Sequence, residues 1–197
     1  MTDVRIPLEQ LEQLMPYEQL DDLFAHNIAQ KIVEPRLLFL DVDGVLNNEM
    51  WINPHRDAAN SDKPEDFFIG SFDTYCVERL IKVLVEVPDA KIVVSSTWRS
   101  DPLLMKCLEA TLGWHANRII GSTIKFRHGY RGLEIEDFLF TYFRGQTITM
   151  CILDDDGDFF DHQKQFHVQT DPEYGVTKNI AYRVKQRLLN SKRTISA

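Results

Sequence analysis

Basic residues are scarce in this chain: 22 lysines and arginines stand against 30 aspartates and glutamates, for a net charge of −8. Proteins that live on phosphate backbones draw much of their affinity from surplus Lys and Arg that displace counterions. The global balance therefore argues against strong overall nucleic-acid electrostatics, while a local basic patch stays compatible with it. Cysteine is rarer still. Cys76, Cys107 and Cys151 are odd in number, widely spaced and free of any CxxC pair, which speaks against a disulfide framework. They fit reduced thiols packed as small core residues in a cytoplasmic protein. Long apolar runs are missing too: nothing approaches the roughly 20 residues that cross a bilayer. The opening MTDVRIPLEQLEQLM also lacks the apolar stretch of a secretory signal, so no membrane partner is expected. The six histidines are scattered from His26 to His167. They make no ligand-spaced cluster with the cysteines, so zinc is disfavoured. No internal repeat or low-complexity tract stands out.

What remains is an ordinary globular composition, 44% apolar over 197 residues, enough for one domain with a small appendage. Residues 1–35 form the appendage. Leu8, Leu11, Leu14 and Met15, then Leu20, Leu23, Phe24 and Ile28, recur at helical spacing on either side of Pro16, which predicts two short amphipathic helices. Pro35 marks the boundary, because proline disfavours helix in the residue before it.

Across residues 36–197 short apolar runs alternate with helical patterns. Strands are expected at Leu37–Leu40, Ile92–Val94, Arg118–Ile120, Thr147–Leu153 and Phe166–Gln169. Helices are expected at Phe72–Val87, Asp101–Leu112, Gly132–Phe143 and Thr177–Leu189, with Asn48–Phe68 as a long polar loop. Strands alternating with helices imply a doubly wound, Rossmann-like, mainly parallel sheet of about five strands, covered on both faces. Right-handed crossovers bring all the strand C-termini to one rim, where ligands bind in such sheets.

Three strand ends meet there. The first carries Asp41-Val42-Asp43-Gly44, two carboxylates followed by a glycine where the chain turns sharply. The second carries Ser95-Ser96-Thr97-Trp98-Arg99, and the third Asp154-Asp155-Asp156-Gly157-Asp158. So many carboxylates on one rim repel each other unless a divalent cation compensates them, and an oxygen-only donor set favours Mg²⁺. A calcium loop of the EF-hand type is a poor alternative, because the acidic run lacks the closing glutamate and a leading helix.

These residues resemble the haloacid dehalogenase (HAD) superfamily, whose ordered motifs match Asp41-Val42-Asp43-Gly44, then Ser95, then Asp154 with Asp155. Among its branches the segments DVDGVLN, AKIVVSSTWRS, RGLEIEDFL, ILDDDGDF and TDPEYGVT are most similar to the HAD domain of Swiss Army Knife RNA-repair proteins. The resemblance covers about Arg36 to Leu189. It implies an Mg²⁺-dependent phosphatase that forms an aspartyl-phosphate on Asp41, with Asp43 as general acid and base. Mg²⁺ would be held by the Asp41 carboxylate, the Asp43 backbone carbonyl and Asp155, with Asp154 or Asp158 assisting through water. Ser95 would bind a phosphoryl oxygen. The basic residue of the third motif is assigned to Arg131, with Lys125 and Arg127 as rivals. The register of the acidic motif stays open among Asp154, Asp155, Asp156, Asp158 and Asp161.

Arg99, Ser96, Gly44 and Lys125 are the further candidates for substrate binding. Arg99 could equally pair with a local carboxylate, and Ser96 could equally be structural. Trp51 could cap the site or stack on a base, or simply pack within its loop. Between the first motif and the helix at Phe72 there is no room for a large folded cap. The expected site is thus open, with a minimal cap or none. An open site suits a phosphate monoester on a polynucleotide end. A phosphoprotein, a nucleotide or another small molecule is the alternative substrate, and an idle binding module docking through its N-terminal helices is the rival from another class.

Overall fold

The computed structural model describes residues 34–55, 71–127 and 129–196. All of them fall in one unit, Glu34–Ala197. The two N-terminal helices and most of the loop expected at 48–68 lie outside the described residues.

In chain order the elements are β1 (Arg36–Leu40), a one-turn helix α1 (Glu49–Ile52), α2 (Thr74–Glu86), β2 (Ala90–Val94), α3 (Pro102–Leu112), β3 (Ile119–Ser122), α4 (Arg131–Phe143), β4 (Thr147–Asp154), β5 (His167–Gln169), α5 (Lys178–Asn190) and β6 (Lys192–Thr194). The nine strands and helices expected across residues 36–197 are present, with no end moved by more than two residues. Two elements are additional. Asn48 opens α1 by accepting the Trp51 N–H, a polar cap at the head of an otherwise loop-like sequence. β6 has only three residues, Lys-Arg-Thr, too short and too polar to show a strand period.

The sheet order is β3-β2-β1-β4-β5, with every pairing along that path parallel. β6 pairs antiparallel with β4. β4 serves two partners along its outer edge: Thr147–Thr149 pair with β6, and Ile152–Asp154 pair with β5. The chain thus forms a mainly parallel, Rossmann-like sheet with helices on both sides.

The central strands are buried on both faces, which is why they read as continuous apolar runs rather than alternating ones. Leu38, Leu40, Ile92, Val94, Cys151 and Leu153 pack with apolar residues of α2, α3 and α5. The alternate residues meet α4, where the Phe39 and Phe138 rings stand edge to face with centroids 5.9 Å apart. Caps fix where the helices begin. Asp73 accepts from Tyr75 N–H, Asp101 from Leu103 N–H ahead of Pro102, and Thr177 from Ile180 N–H, each satisfying a backbone donor that the first turn leaves free. The cysteines Cys76, Cys107 and Cys151 are buried free thiols.

Candidate active site

Backbone hydrogen bonds hold the strand ends level. Asp41 N–H donates to Leu153 O, Ser95 N–H to Leu40 O, and Thr170 N–H to Asp154 O, at 3.0, 2.9 and 3.1 Å. Asp41, Ser95 and Asp154 therefore emerge side by side from β1, β2 and β4, all buried. One oxygen from each of Asp41, Asp154 and Asp155 lies within 4.8 Å of the others. Two segments more than a hundred residues apart thus meet on one rim.

The sharp turn after Asp41 requires a glycine. Gly44 has φ of 67°, and a Cβ there would stand 2.5 Å from Asp155 Cγ. Both a positive φ and a close approach demand the bare backbone. Gly44 N–H donates to the Asn47 side chain at 3.0 Å, and its carbonyl accepts from Thr170 Oγ1 at 2.9 Å. Asn47 also donates to Asp43 at 2.8 Å, and the Trp98 indole N–H reaches both Asp43 oxygens, at 3.0 and 3.1 Å. Asp43 is exposed, yet oriented from two sides.

Arg131 opens α4. Its Nη1 lies 3.6 Å from Asp41 Oδ1, and its Nε lies 3.5 Å from Asp154 Oδ2. These are ion-pair distances that fall outside hydrogen-bond range. No neighbouring side chain caps α4; instead Asp158 accepts the Arg131 N–H at 3.0 Å. A carboxylate at a helix N-terminus satisfies a free donor and complements the dipole. Asp158 stands outside the three-carboxylate group; its Oδ2 anchors the helix that delivers Arg131, while its Oδ1 is buried without a hydrogen-bond partner among the described residues.

Burial pushes the Asp41 carboxyl up to about 6, against the pull of Arg131 and of the Ser96 hydroxyl. Burial, then the charge on Asp41, pushes Asp154 up to about 8. Asp155 is raised as well, by burial first and by Asp156 second. Asp154 Oδ2, Arg131 Nη1 and Ser95 Oγ are buried without a hydrogen-bond partner among the described residues. A buried polar atom left unpaired costs about 1–3 kcal/mol, so the site is arranged for something else to meet these atoms. Two are donors suited to phosphoryl oxygens. The third is an acceptor within a carboxylate group whose mutual repulsion a divalent cation would relieve. The oxygen-only donor set fits Mg²⁺.

The remaining candidates sit differently. Arg99 Nη2 donates to Glu134 at 2.6 Å and to Ile124 O at 3.3 Å, while Nη1 donates to Ser96 O. With the side chains of Arg99 and Glu134 only 5% and 2% exposed, the guanidinium is committed to an internal ion pair and offers no free fork. The structure takes the ion-pair alternative of the two. Ser96 caps the turn Thr97–Ser100 through Trp98 N–H. Lys125 and Arg127 are exposed on the loop before α4, as are Asp156 and Asp161 in theirs, and Asp156 N–H donates to Asp154 Oδ1 at 3.0 Å. Trp51 stacks on His55 with centroids 4.3 Å apart.

Sequence reasoning missed Asn47, Trp98, Glu134 and Thr170, whose roles come from packing partners rather than motif chemistry. A signal existed in the family-like segments that carry them: Asn47 closes DVDGVLN, Trp98 lies in AKIVVSSTWRS, Glu134 in RGLEIEDFL, and Thr170 opens TDPEYGVT.

A parallel sheet whose rim joins an Asp-x-Asp-Gly turn, a buried strand-end serine, an acidic strand end and one arginine defines a HAD-type domain. The sequence profile of the HAD domain in Swiss Army Knife RNA repair proteins matches residues 37–181, and the chain belongs to that family. Membership supports HAD-type phosphohydrolase chemistry in general, acting on a phosphorylated substrate. No curated protein and no solved structure gives a significant match to this chain. Among the described residues no helix is long and apolar enough to cross a membrane.

Proposed function

We propose that this chain is a Mg²⁺-dependent phosphomonoesterase that works through an aspartyl-phosphate on Asp41, and that its substrate is the phosphate of a polynucleotide end. The observation that carries this reading is the meeting of Asp41, Asp154 and Asp155 within 4.8 Å beside the Arg131 guanidinium. An Asp41 oxygen attacks phosphorus while the ester P–O bond breaks in line. Asp43, held by Asn47 and Trp98, gives its proton to the leaving oxygen. It then takes a proton from the water that attacks phosphorus and breaks the Asp41–phosphate bond. The Ser95 hydroxyl and Arg131 Nη1, both unpaired donors, hold phosphoryl oxygens and stabilise the charge they gather. Mg²⁺, held by Asp41, Asp155 and the Asp43 carbonyl with Asp154 behind them, would neutralise the carboxylates and the phosphoryl group.

A polynucleotide end is favoured by the RNA-repair family and by the absence of a large inserted cap among the described residues. Between Ser95 and Asp154 the chain holds only the turn Thr97–Ser100, α3, a second short turn at Gly113–Arg118, β3 and α4.

Release of inorganic phosphate from an aryl phosphate in the presence of Mg²⁺ tests the chemistry. Wild type is active and Asp41→Asn is not; equal rates for both would refute the covalent route. A wild type with no activity on any phosphoester would leave the binding-module alternative. A panel of 3′- and 5′-phosphorylated oligonucleotides, phosphopeptides and nucleotides then tests the substrate. Preference for a phosphopeptide or a free nucleotide would overturn the polynucleotide assignment.

A further inference from the structure

The excess of negative charge on this chain hides a basic surface. Helix α5, Lys178–Asn190, carries Lys178, Arg183, Lys185 and Arg187 and no acidic residue. Its buried face is the apolar stripe Ile180, Val184 and Leu188, so the cations occupy the flanks and the outer side. Between α5 and α2 runs a hollow of about 410 Å³, lined by Arg79, Lys82, Lys178 and Lys185 around Tyr182, with Glu86 as the single carboxylate. Glu86 is paired to Lys185 at 2.9 Å, which leaves the other cations to set the sign of the groove. Tyr182 stands 62% exposed, and Tyr75, 63% exposed, lies near the Arg79 guanidinium.

One end of the groove is linked by two hydrogen bonds to the turn that follows β1. Arg79 Nη1 donates to Val176 O at 2.8 Å, and Val176 N–H donates to Val45 O at 3.0 Å, the residue after Gly44 in the Asp41–Gly44 turn. α5 begins just beyond Val176 and runs away from the rim. Seven residues separate Lys178 from Lys185, about 10 Å at the helical rise of ~1.5 Å per residue. That is roughly three nucleotides at ~3.4 Å each along one strand.

We infer that this groove binds a single-stranded polynucleotide and leads its phosphorylated end to the rim. The inference deepens the phosphatase reading and rests on it only for where the strand ends. Charge complementarity selects a polyanion. Cations spaced along a helix track a phosphate backbone, and an exposed tyrosine between them offers a face on which an unpaired base stacks. An acidic peptide would satisfy the cations but make no use of the ring, and a duplex keeps its bases inside.

Fluorescence anisotropy with a short, unphosphorylated, labelled RNA single strand, titrated over a range of salt, tests the groove apart from any chemistry. Wild type binds with an affinity that falls as salt rises. Lys82→Ala/Lys178→Ala lowers the slope of log K on log salt by about 1.4, at about 0.7 for each phosphate no longer neutralised. Tyr182→Ala weakens binding about tenfold without changing the slope, as a stacking interaction of ~1–3 kcal/mol implies. Both variants keep wild-type rates on an aryl phosphate while KM for a phosphorylated oligonucleotide rises. No binding by wild type, unchanged binding by the variants, or equal competition from polyglutamate or duplex RNA would overturn the groove. If wild type hydrolyses no phosphoester at all, the phosphatase reading fails and the anisotropy result alone decides the groove.

Discussion

The Asp43 carboxylate rests on the indole of Trp98, whose Nε1–H lies 3.0 and 3.1 Å from its two oxygens. Trp98 is held in turn by its own surroundings: it is 7% exposed, packs against Phe72 with ring centroids 5.1 Å apart, and sits in a turn capped by Ser96. On the proposed mechanism such support would set the direction of the group that delivers a proton to the leaving oxygen. Trp98→Phe keeps an aromatic body and removes the donor. It is expected to lower kcat by about tenfold with little change in KM, whereas Asp43→Asn lowers it by about 10²–10⁴. Steady-state kinetics on an aryl phosphate measure both, and a Trp98→Phe enzyme with wild-type kcat would separate the indole hydrogen bond from catalysis.

Arg131 and Lys125 make opposite predictions. Arg131 lies within 3.6 Å of Asp41 and 3.5 Å of Asp154, while Lys125 is exposed on the loop before α4. Arg131→Met is expected to reduce kcat by about 10²–10³, the size seen when a preorganised donor to a developing charge is removed. Lys125→Met should leave it unchanged. The reverse ranking would move the third motif onto the loop.

The buried carboxyls give the metal-free protein a definite pH dependence. Asp154, pushed up to about 8 in the fold from an ordinary 3.8, keeps its proton where the unfolded chain has released it. The folded state then binds more protons, so stability falls as pH rises between those values. Asp41, raised to about 6, adds to the fall over the lower part of the window. In EDTA the Tm should drop from pH 5 to pH 8. Mg²⁺ should raise it more at pH 8, where ionising the group is most costly without a cation. Thermal melts at the two pH values, with and without Mg²⁺, check this; an equal Mg²⁺ effect at both would contradict it.

Among the described residues Arg99 and Glu134 form the most enclosed ion pair, at 2.6 Å, and Glu134 also accepts Phe126 N–H at 3.1 Å. Removing one partner strands a buried charge. Glu134→Ala is expected to cost about 3–5 kcal/mol of stability, read as a shift of the urea midpoint. A loss below about 1 kcal/mol would mean that the guanidinium finds water.

The sheet and its rim were legible because their signals are local. An apolar run ending on Asp41, Ser95 or Asp154 specifies a buried strand and what it carries, and parallel topology brings the ends together without further information. The apolar periods gave the helices in the same way. Pairing choices were not legible. Nothing in Arg99 itself says that Glu134, thirty-five residues on, will close against it. Nor does Asp158 announce that one of its oxygens will cap α4, since a run of aspartates offers several carboxylates of equal chemistry. β6 was hidden for another reason: Lys192–Thr194 take their strand character from the edge of β4, and tertiary context of that kind overrides a weak propensity.

The double partnership along the outer edge of β4 bears on how the molecule comes into being. Its upper half is covered by β5, close behind in the chain, but its lower half waits for residues 192–194. During synthesis Thr147–Thr149 therefore keep one edge unpaired until the polypeptide has travelled down α5 and returned. Over that interval the open edge is a template on which a neighbouring chain can pair in place of β6.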